Sequence, residues 1–258
     1  MRKLLLVARA CVLVLLTAVA AQADEIKVMT SGAMSAALKE LTPAFERASG
    51  STLVIVSGGS VAGAADSIPD RLARGERADV VIMAAAGIDD LAGAGRIVAG
   101  SRVDLARSSI GIAVRAGAPR PDITTVDALT RALLQATSVA YSSSVSGVYV
   151  STELFQRLGI ASQMTAKSRK IESEPVGAAV ARGDAQLGFQ QISELRAVPG
   201  IDVIGPLPPA VQRVTVFSVA IAASSANPTG GRALIAFLSS PAAASSIARS
   251  GMDPIIRR

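Results

Sequence analysis

Three apolar, β-branched segments in the first third of the chain each run into a turn of small residues and then into a helical pattern. The segments cover residues 26–30, 53–56 and 78–84. After the first of them, apolar residues over 34–45 recur at the spacing of one helix face, although Pro43 should kink or interrupt that helix. Repeats of this kind form parallel sheets whose loops share one rim, where ligands bind. The pattern therefore predicts an α/β fold.

The loops at that rim are the first candidate binding sites. Ser57-Gly58-Gly59-Ser60 follows the second strand and precedes a helix predicted over about 61–72. Adjacent glycines let the backbone approach a ligand, and the free amides of a helix start attract an anion. The same residue types also form ordinary strand-to-helix loops. The candidate ligand contacts in the three loops are Ser31, Gly32, Ala33, Ser57, Gly59, Ser60 and Ala85.

A second series of predicted strands and helices carries another group of polar candidates. Serines occupy four of the five positions from Ser142 to Ser146 at a predicted helix start. This cluster is either a ligand loop, which we favour, or a flexible solvated loop. The predicted strand 187–191 ends in two glutamines, and a buried amide is either part of a core network or a ligand contact. The candidates here are Ser144, Ser146, Gly147, Gln190 and Gln191.

Composition argues against several classes of function. The chain has no histidine, and its single cysteine, Cys11, lies in a segment that we expect to be removed. We therefore predict no disulfide, no thiol catalysis, no metal site and no cofactor. Removal of that segment lowers the number of basic residues from 26 to 23, while the number of acidic residues stays at 20. This weak balance, with only 3% aromatic residues, argues against nucleic-acid binding.

Residues 1–23 have the features of a secretory signal peptide. Arg2 and Lys3 stand at the start, an apolar run follows, and the segment ends in Ala21-Gln22-Ala23. We expect the mature chain to begin at residue 24 and to act in the periplasm as a monomer. No later segment approaches the roughly 18 uninterrupted apolar residues that a membrane span needs.

The order of the motifs resembles that of periplasmic type II solute-binding proteins, in particular the molybdate-binding proteins of ABC importers. The shared features are the GGS loop, ARGERADVVIMAA, SGVY and VGAAVARGDAQLGFQQISE. The resemblance implies two α/β lobes, each a mostly parallel sheet flanked by helices, joined by two crossing strands and closing over an anion. It implies one lobe from 24–107 plus 222–258 and a second from 108–221, with an ABC permease as partner.

The resemblance also assigns positions in the site. It places the second-loop serine at Ser60, and backbone amide contacts at Ser146 and Val176. Two positions depart from the pattern, because Ala33 stands where the family has a serine and Gln191 where it has a tyrosine. These departures put molybdate in doubt and are compatible with a larger anion, for which Arg71 or Arg74 could supply a charge. Solvated helix arginines are the alternative reading.

The sequence is compatible with two functions. The first is a receptor that captures a small anion for import, and we favour it because it needs only converging donors. The second follows from a resemblance to an aconitate isomerase built on the same scaffold. That enzyme would need a base to remove a proton beside a carboxylate, and the sequence offers only a carboxylate such as Glu174, a lysine, a tyrosine or an activated serine.

Overall fold

The first half of the fold is a sheet built from the three predicted strand–helix units. The computed structural model of the chain describes residues 24–64, 66–172 and 174–256, so the predicted signal peptide lies outside the described residues. Strands β1 to β3 are parallel, in the order β2-β1-β3. The elements are β1 (Glu25–Thr30), α1 (Gly32–Ser49), β2 (Thr52–Ser57), α2 (Ile68–Ala73), β3 (Val80–Ala84) and α3 (Ala85–Gly93).

A single long strand, β4 (Val103–Arg115), connects this sheet to the second one. Its first half, 103–109, pairs antiparallel with β9 (Val214–Ile221), which also pairs with β3. Its second half pairs antiparallel with β7 (Leu187–Gln191). Because β9 is hydrogen-bonded within the first sheet, we propose that the chain returns to the first lobe near residue 213, before β9 rather than after it.

The second sheet continues from β4 in the order β4-β7-β5-β6, with β8 on the same long strand. Apolar side chains of β4, β7 and the flanking helices form a core separate from the larger core of the first sheet. The elements are α4 (Val126–Gln135), β5 (Val139–Ser142), α5 (Val145–Tyr149), a π-helical turn (Val150–Leu154), α6 (Phe155–Arg157), α7 (Ala161–Thr165), β6 (Ser168–Ile171), α8 (Val176–Arg182), α9 (Ile192–Arg196) and β8 (Ile201–Pro206).

The C-terminal segment returns to the first sheet. Helices α10 (Pro228–Leu238) and α11 (Pro241–Arg249) pack on it, and β10 (Asp253–Pro254) pairs with β4. The predicted two-lobed α/β architecture is confirmed. Within the three described ranges, no helix is long and apolar enough to cross a membrane.

The structure corrects two local predictions. Pro43 does not interrupt α1, which continues to Ser49, because its apolar face is held by the first core and outweighs one missing hydrogen bond. The helix predicted over 61–72 begins only at Ile68, where Ser67 accepts a hydrogen bond from the Asp70 amide. The sequence carried this signal, because serine is a preferred residue at the position before a helix.

Candidate functional site

A cleft lies where the carboxyl ends of strands from both sheets face each other. Its volume is about 230 Å³. Residues from α1 and the GGS loop form one wall, and residues from the serine loop, β6, β7 and α9 form the other. The lining residues are Ser31, Gly32, Ala33, Ser57, Gly58, Gly59, Ser60, Asp66, Ser142, Ser143, Ser144, Val145, Ile171, Glu172, Glu174, Pro175, Gln190, Gln191, Glu194 and Phe217.

The amino end of helix α1 forms part of the first wall. Ser31 precedes the helix, and Gly32 and Ala33 are its first residues, so unpaired backbone amides and the positive end of the helix lie at the cleft. The Ser31 hydroxyl is buried and has no hydrogen-bond partner among the described residues. A buried hydroxyl without a partner is costly, and a ligand in the cleft can supply the missing bond.

The GGS loop lies beside α1, but it is not a helix start. The Ile68 amide donates to the Gly59 carbonyl, at 2.8 Å, so the loop is tied to the first turn of α2. A Cβ added at Gly58 would lie 2.7 Å from the Asp66 carbonyl oxygen, which explains the need for glycine there. Ser60 is buried and lines the cleft together with Ser57. The loop therefore offers hydroxyls and close backbone approach without the predicted helix amides.

The serine loop of the second lobe forms a closed set of hydrogen bonds. The hydroxyl oxygen of Ser142 lies 2.7 Å from the hydroxyl oxygen of Ser144 and 3.1 Å from that of Ser146. The hydroxyl oxygens of Ser144 and Ser146 are 3.2 Å apart. Ser142 and Ser144 line the cleft, whereas Ser146 is buried behind them. A Cβ at Gly147 would overlap the Ser142 carbonyl oxygen. The loop can therefore fold in this way only with glycine at 147.

Both glutamines at the end of β7 are buried and line the cleft. The Gln191 amide nitrogen bonds the Thr215 hydroxyl at 3.2 Å, and its oxygen has no partner in the described part of the chain. A half-turn of the side-chain amide would exchange its oxygen and its NH₂ group. The Thr215 hydroxyl could bond either of them, because a hydroxyl can donate or accept. In either orientation, Gln191 keeps one polar group for a ligand.

Glu194 is a cleft residue that no sequence motif indicated. It lies in the first turn of α9 and receives hydrogen bonds from the Gln190 side chain, at 3.0 Å, and from the Gln191 backbone amide. Its Oε1 atom, which accepts from Gln190, faces α1 of the other lobe, where a Cβ at Gly32 would overlap it. Burial raises the pKa of Glu194 to about 7, against the smaller opposing effect of those two hydrogen bonds.

The other glutamates of the cleft are paired with cations. Arg182 binds both carboxyl oxygens of Glu174, at 2.7 and 2.6 Å, and holds the pKa of Glu174 below its ordinary value. Lys170 lies 2.7 Å from Glu172. Glu174, suggested by the sequence as a base, is therefore poorly suited to accept a proton, whereas Glu194 has the pKa that proton transfer near neutral pH requires.

The arginines considered as ligand contacts serve other purposes. The Arg71 guanidinium binds both oxygens of Glu76, at 2.7 and 2.6 Å, and the Ser57 carbonyl. Neither Arg71 nor Arg74 lines the cleft. Among the residues described, no cluster of three or more His, Cys, Asp or Glu side chains could hold a metal ion.

Four predicted contacts do not reach the wall of this cleft. The Val176 amide already donates to the Gln190 side chain, at 2.9 Å, and Ser146 is shielded by its neighbouring serines. Ala85 lines an adjoining cavity beside β9, and Gly147 lines one that extends towards Lys170. The structure does bring together Ser31, Gly32, Ala33, Ser57, Gly59, Ser60, Ser144, Gln190 and Gln191; their role in ligand binding stays a prediction.

Comparison with known proteins agrees with this architecture. A family model of bacterial extracellular solute-binding proteins matches residues 26–253. The chain belongs to this family. One relative, an aconitate isomerase from a Pseudomonas species, is 48% identical over 228 residues, which are 88% of this chain and 87% of that protein.

Solved structures show the same fold at lower identity. The periplasmic molybdate-binding protein of Azotobacter vinelandii is 22% identical, with a TM-score of 0.71 over 90% of this chain and 100% of that one. The sulfate-binding protein of Mycobacterium tuberculosis H37Rv is 18% identical, with a TM-score of 0.72 over 90% of this chain and 87% of that one. These likenesses establish the two-lobed fold of periplasmic solute-binding proteins.

Proposed function

We propose that this chain is a periplasmic isomerase that interconverts trans- and cis-aconitate without a cofactor. The observation that carries the proposal is Glu194, a buried carboxyl group with a pKa of about 7 that lies in the cleft against Gly32 of the other lobe. The 48% identical aconitate isomerase supports the same reaction class. The sequence favoured a receptor; this carboxyl and this relative lead us to place the isomerase first.

The proposed reaction moves one proton and one double bond. Ionised Glu194 removes a proton from the methylene carbon next to a carboxylate, and the electrons of that C–H bond form a new double bond. The former double bond opens, and its outer carbon takes the proton back from Glu194, so nothing is consumed. A base with a pKa near the working pH serves both steps, because it is neither too weak to remove the proton nor too strong to return it.

The remaining cleft residues suit the carboxylates of such a substrate. The amino end of α1 and the Ser31 hydroxyl can bind one carboxylate. The free group of the Gln191 amide and the hydroxyls of Ser60 and Ser144 provide further hydrogen bonds on both walls. Closure of the two lobes would then exclude water from the reacting carbons.

A receptor that delivers an inorganic oxyanion to an ABC permease is the second candidate, favoured by the many hydroxyl groups in the lining. In such a receptor, ionised Glu194 would repel the ligand by about 4 kcal/mol at 4 Å and an effective dielectric constant of about 20. Oxyanion affinity should therefore fall as the pH rises through about 7.

A thermal-shift screen followed by an ultraviolet assay distinguishes the two functions. The mature protein is screened against molybdate, tungstate, sulfate, phosphate, citrate and both aconitates, because a ligand of the folded state raises the melting temperature. The isomerase proposal predicts a shift with aconitate and conversion of either isomer to one equilibrium mixture. A shift with molybdate alone, and unchanged aconitate, would support the receptor instead.

Replacement of Ser31 by alanine should weaken aconitate binding by about tenfold without lowering the melting temperature. One hydrogen bond to the ligand is lost, and the free protein loses none, since that hydroxyl has no partner among the described residues. Calorimetric titration measures the affinity. Ser193→Ala is the matched control, because its hydroxyl is also buried and unpartnered but does not line the cleft. Equal affinities of all three proteins would remove Ser31 from the site.

A further inference from the structure

A chain of two buried hydrogen bonds leads from helix α8 to Glu194. The Val176 amide donates to Oε1 of Gln190 at 2.9 Å, and Nε2 of Gln190 donates to Oε1 of Glu194 at 3.0 Å. Val176 is fully buried, and Gln190 is 5% exposed. The Gln190 side chain therefore connects a backbone group of one helix to the carboxyl proposed as the base.

The chemistry of the donors fixes the direction of both bonds. A backbone amide can only donate, so the oxygen of Gln190 must face Val176. The NH₂ group of Gln190, which also can only donate, must then face Glu194. Oε1 of Glu194 is thus an acceptor whether the carboxyl is ionised or protonated, because a proton on the lone pair that accepts this bond would meet the hydrogens of the NH₂ group.

We infer that Gln190 is a positioning residue that directs the proton of Glu194 to its Oε2 atom. This inference rests on the proposed isomerase function. Oε1 accepts from Gln190 and also lies against Gly32, which leaves Oε2 to remove and return the proton. The same bond favours the ionised form and keeps the pKa of Glu194 from rising further on burial.

The spacing of the residues explains why this arrangement forms. Gln190 lies near the end of β7 and Glu194 in the first turn of α9, so the turn between strand and helix brings the two side chains together. Val176 is the first residue of α8, and its amide has no partner within that helix. Gln190 satisfies that amide and orients Glu194 at the same time.

Two variants test the inference through the pH dependence of the reaction. Gln190→Glu keeps an acceptor for the Val176 amide but places a second carboxyl against Glu194, so the pair must share a proton. We expect the acidic limb of the kcat/KM profile to move to higher pH by more than one unit. Gln190→Met removes the NH₂ group without adding charge, and should move the limb in the same direction by about one unit. Gln135→Glu and Gln135→Met, the same two changes at an exposed glutamine at the end of α4 and away from the cleft, are the matched controls and should leave the limb in place.

A direct titration separates this inference from the proposed function. Carbon-13 NMR of the glutamate side-chain carboxyls, with Glu194→Gln used for assignment, follows the protonation of Glu194 without any turnover. An upward shift of its pKa in both Gln190 variants supports the positioning role even if no aconitate is converted. A lower rate with an unmoved pH limb and an unmoved Glu194 titration would show that Gln190 is only structural, and would overturn the inference.

Discussion

Replacement of Glu194 by glutamine should lower the rate of aconitate isomerisation by about 10²- to 10⁴-fold, the usual contribution of a positioned general base. Glutamine keeps the size of the side chain and an oxygen that can accept from Gln190 and the Gln191 amide. Binding of aconitate should therefore persist, and kcat should fall far more than KM changes. Initial rates by ultraviolet absorbance and affinities by calorimetric titration measure the two quantities.

The same variant should be more stable than the natural chain above neutral pH. Because the folded state raises the pKa of Glu194 from 4.5 to about 7, folding favours the protonated carboxyl, and stability falls as the pH rises through that interval. The full shift corresponds to about 3 kcal/mol, and the glutamine side chain avoids this cost. Denaturant unfolding should show little difference between the two proteins near pH 4.5 and the full difference near pH 8.

Glu174→Gln is the matched control, because both glutamates line the cleft and only Glu174 is paired with an arginine. It should retain most of the activity and should not become more stable at high pH. Equal losses of activity in the two variants would show that the cleft needs negative charge in general. A stability difference that does not grow with pH would contradict the raised pKa of Glu194.

Replacement of Gly147 by alanine should destabilise the protein by about 3 kcal/mol or more and abolish binding in the cleft. The new Cβ would overlap the Ser142 carbonyl oxygen, which is backbone and cannot rotate away. The loop would have to move, and the hydrogen bonds among Ser142, Ser144 and Ser146 would be lost. Thermal unfolding and the aconitate-induced shift measure both effects.

Gly93→Ala provides the comparison for this variant. Gly93 also lies in a helix, at the end of α3, but no atom outside its local backbone approaches the position of its Cβ within 4 Å. Alanine there should leave stability unchanged or raise it by up to about 1 kcal/mol. If Gly147→Ala behaved like Gly93→Ala, the conformation of the serine loop described above would be wrong.

Much of the fold was predictable because hydrophobic periodicity reports directly on strands and helices that face a core. The strand predicted over 187–191 is β7, and the apolar residues over 34–45 lie on one helix, α1. The start of α2 was missed because the small residues over 61–67 are compatible with helix in isolation. Tertiary hydrogen bonds, such as that from Ile68 to Gly59, decide their conformation.

The site was predictable only in part, for a related reason. Glycine and serine loops at strand ends are visible in the sequence, and most of them do line the cleft. Glu194 acquires its properties from burial and from contact with Gly32, which is 162 positions away in the chain. The Val176 amide stands at a helix start and was therefore predicted to be free, but it donates a hydrogen bond to the side chain of Gln190 in β7. Contacts between residues that are distant in the sequence determine both the pKa of Glu194 and the hydrogen bonding of the Val176 amide.

The most direct test of the proposed isomerase is a proton NMR time course of trans-aconitate, and separately of cis-aconitate, with the mature protein and with its Glu194→Gln variant at pH 8. We expect the natural protein to bring trans- and cis-aconitate to one equilibrium mixture from either side, and the variant to do so at least about 100-fold more slowly. Aconitate left unchanged by the natural protein, or equal rates for the two proteins, would contradict it.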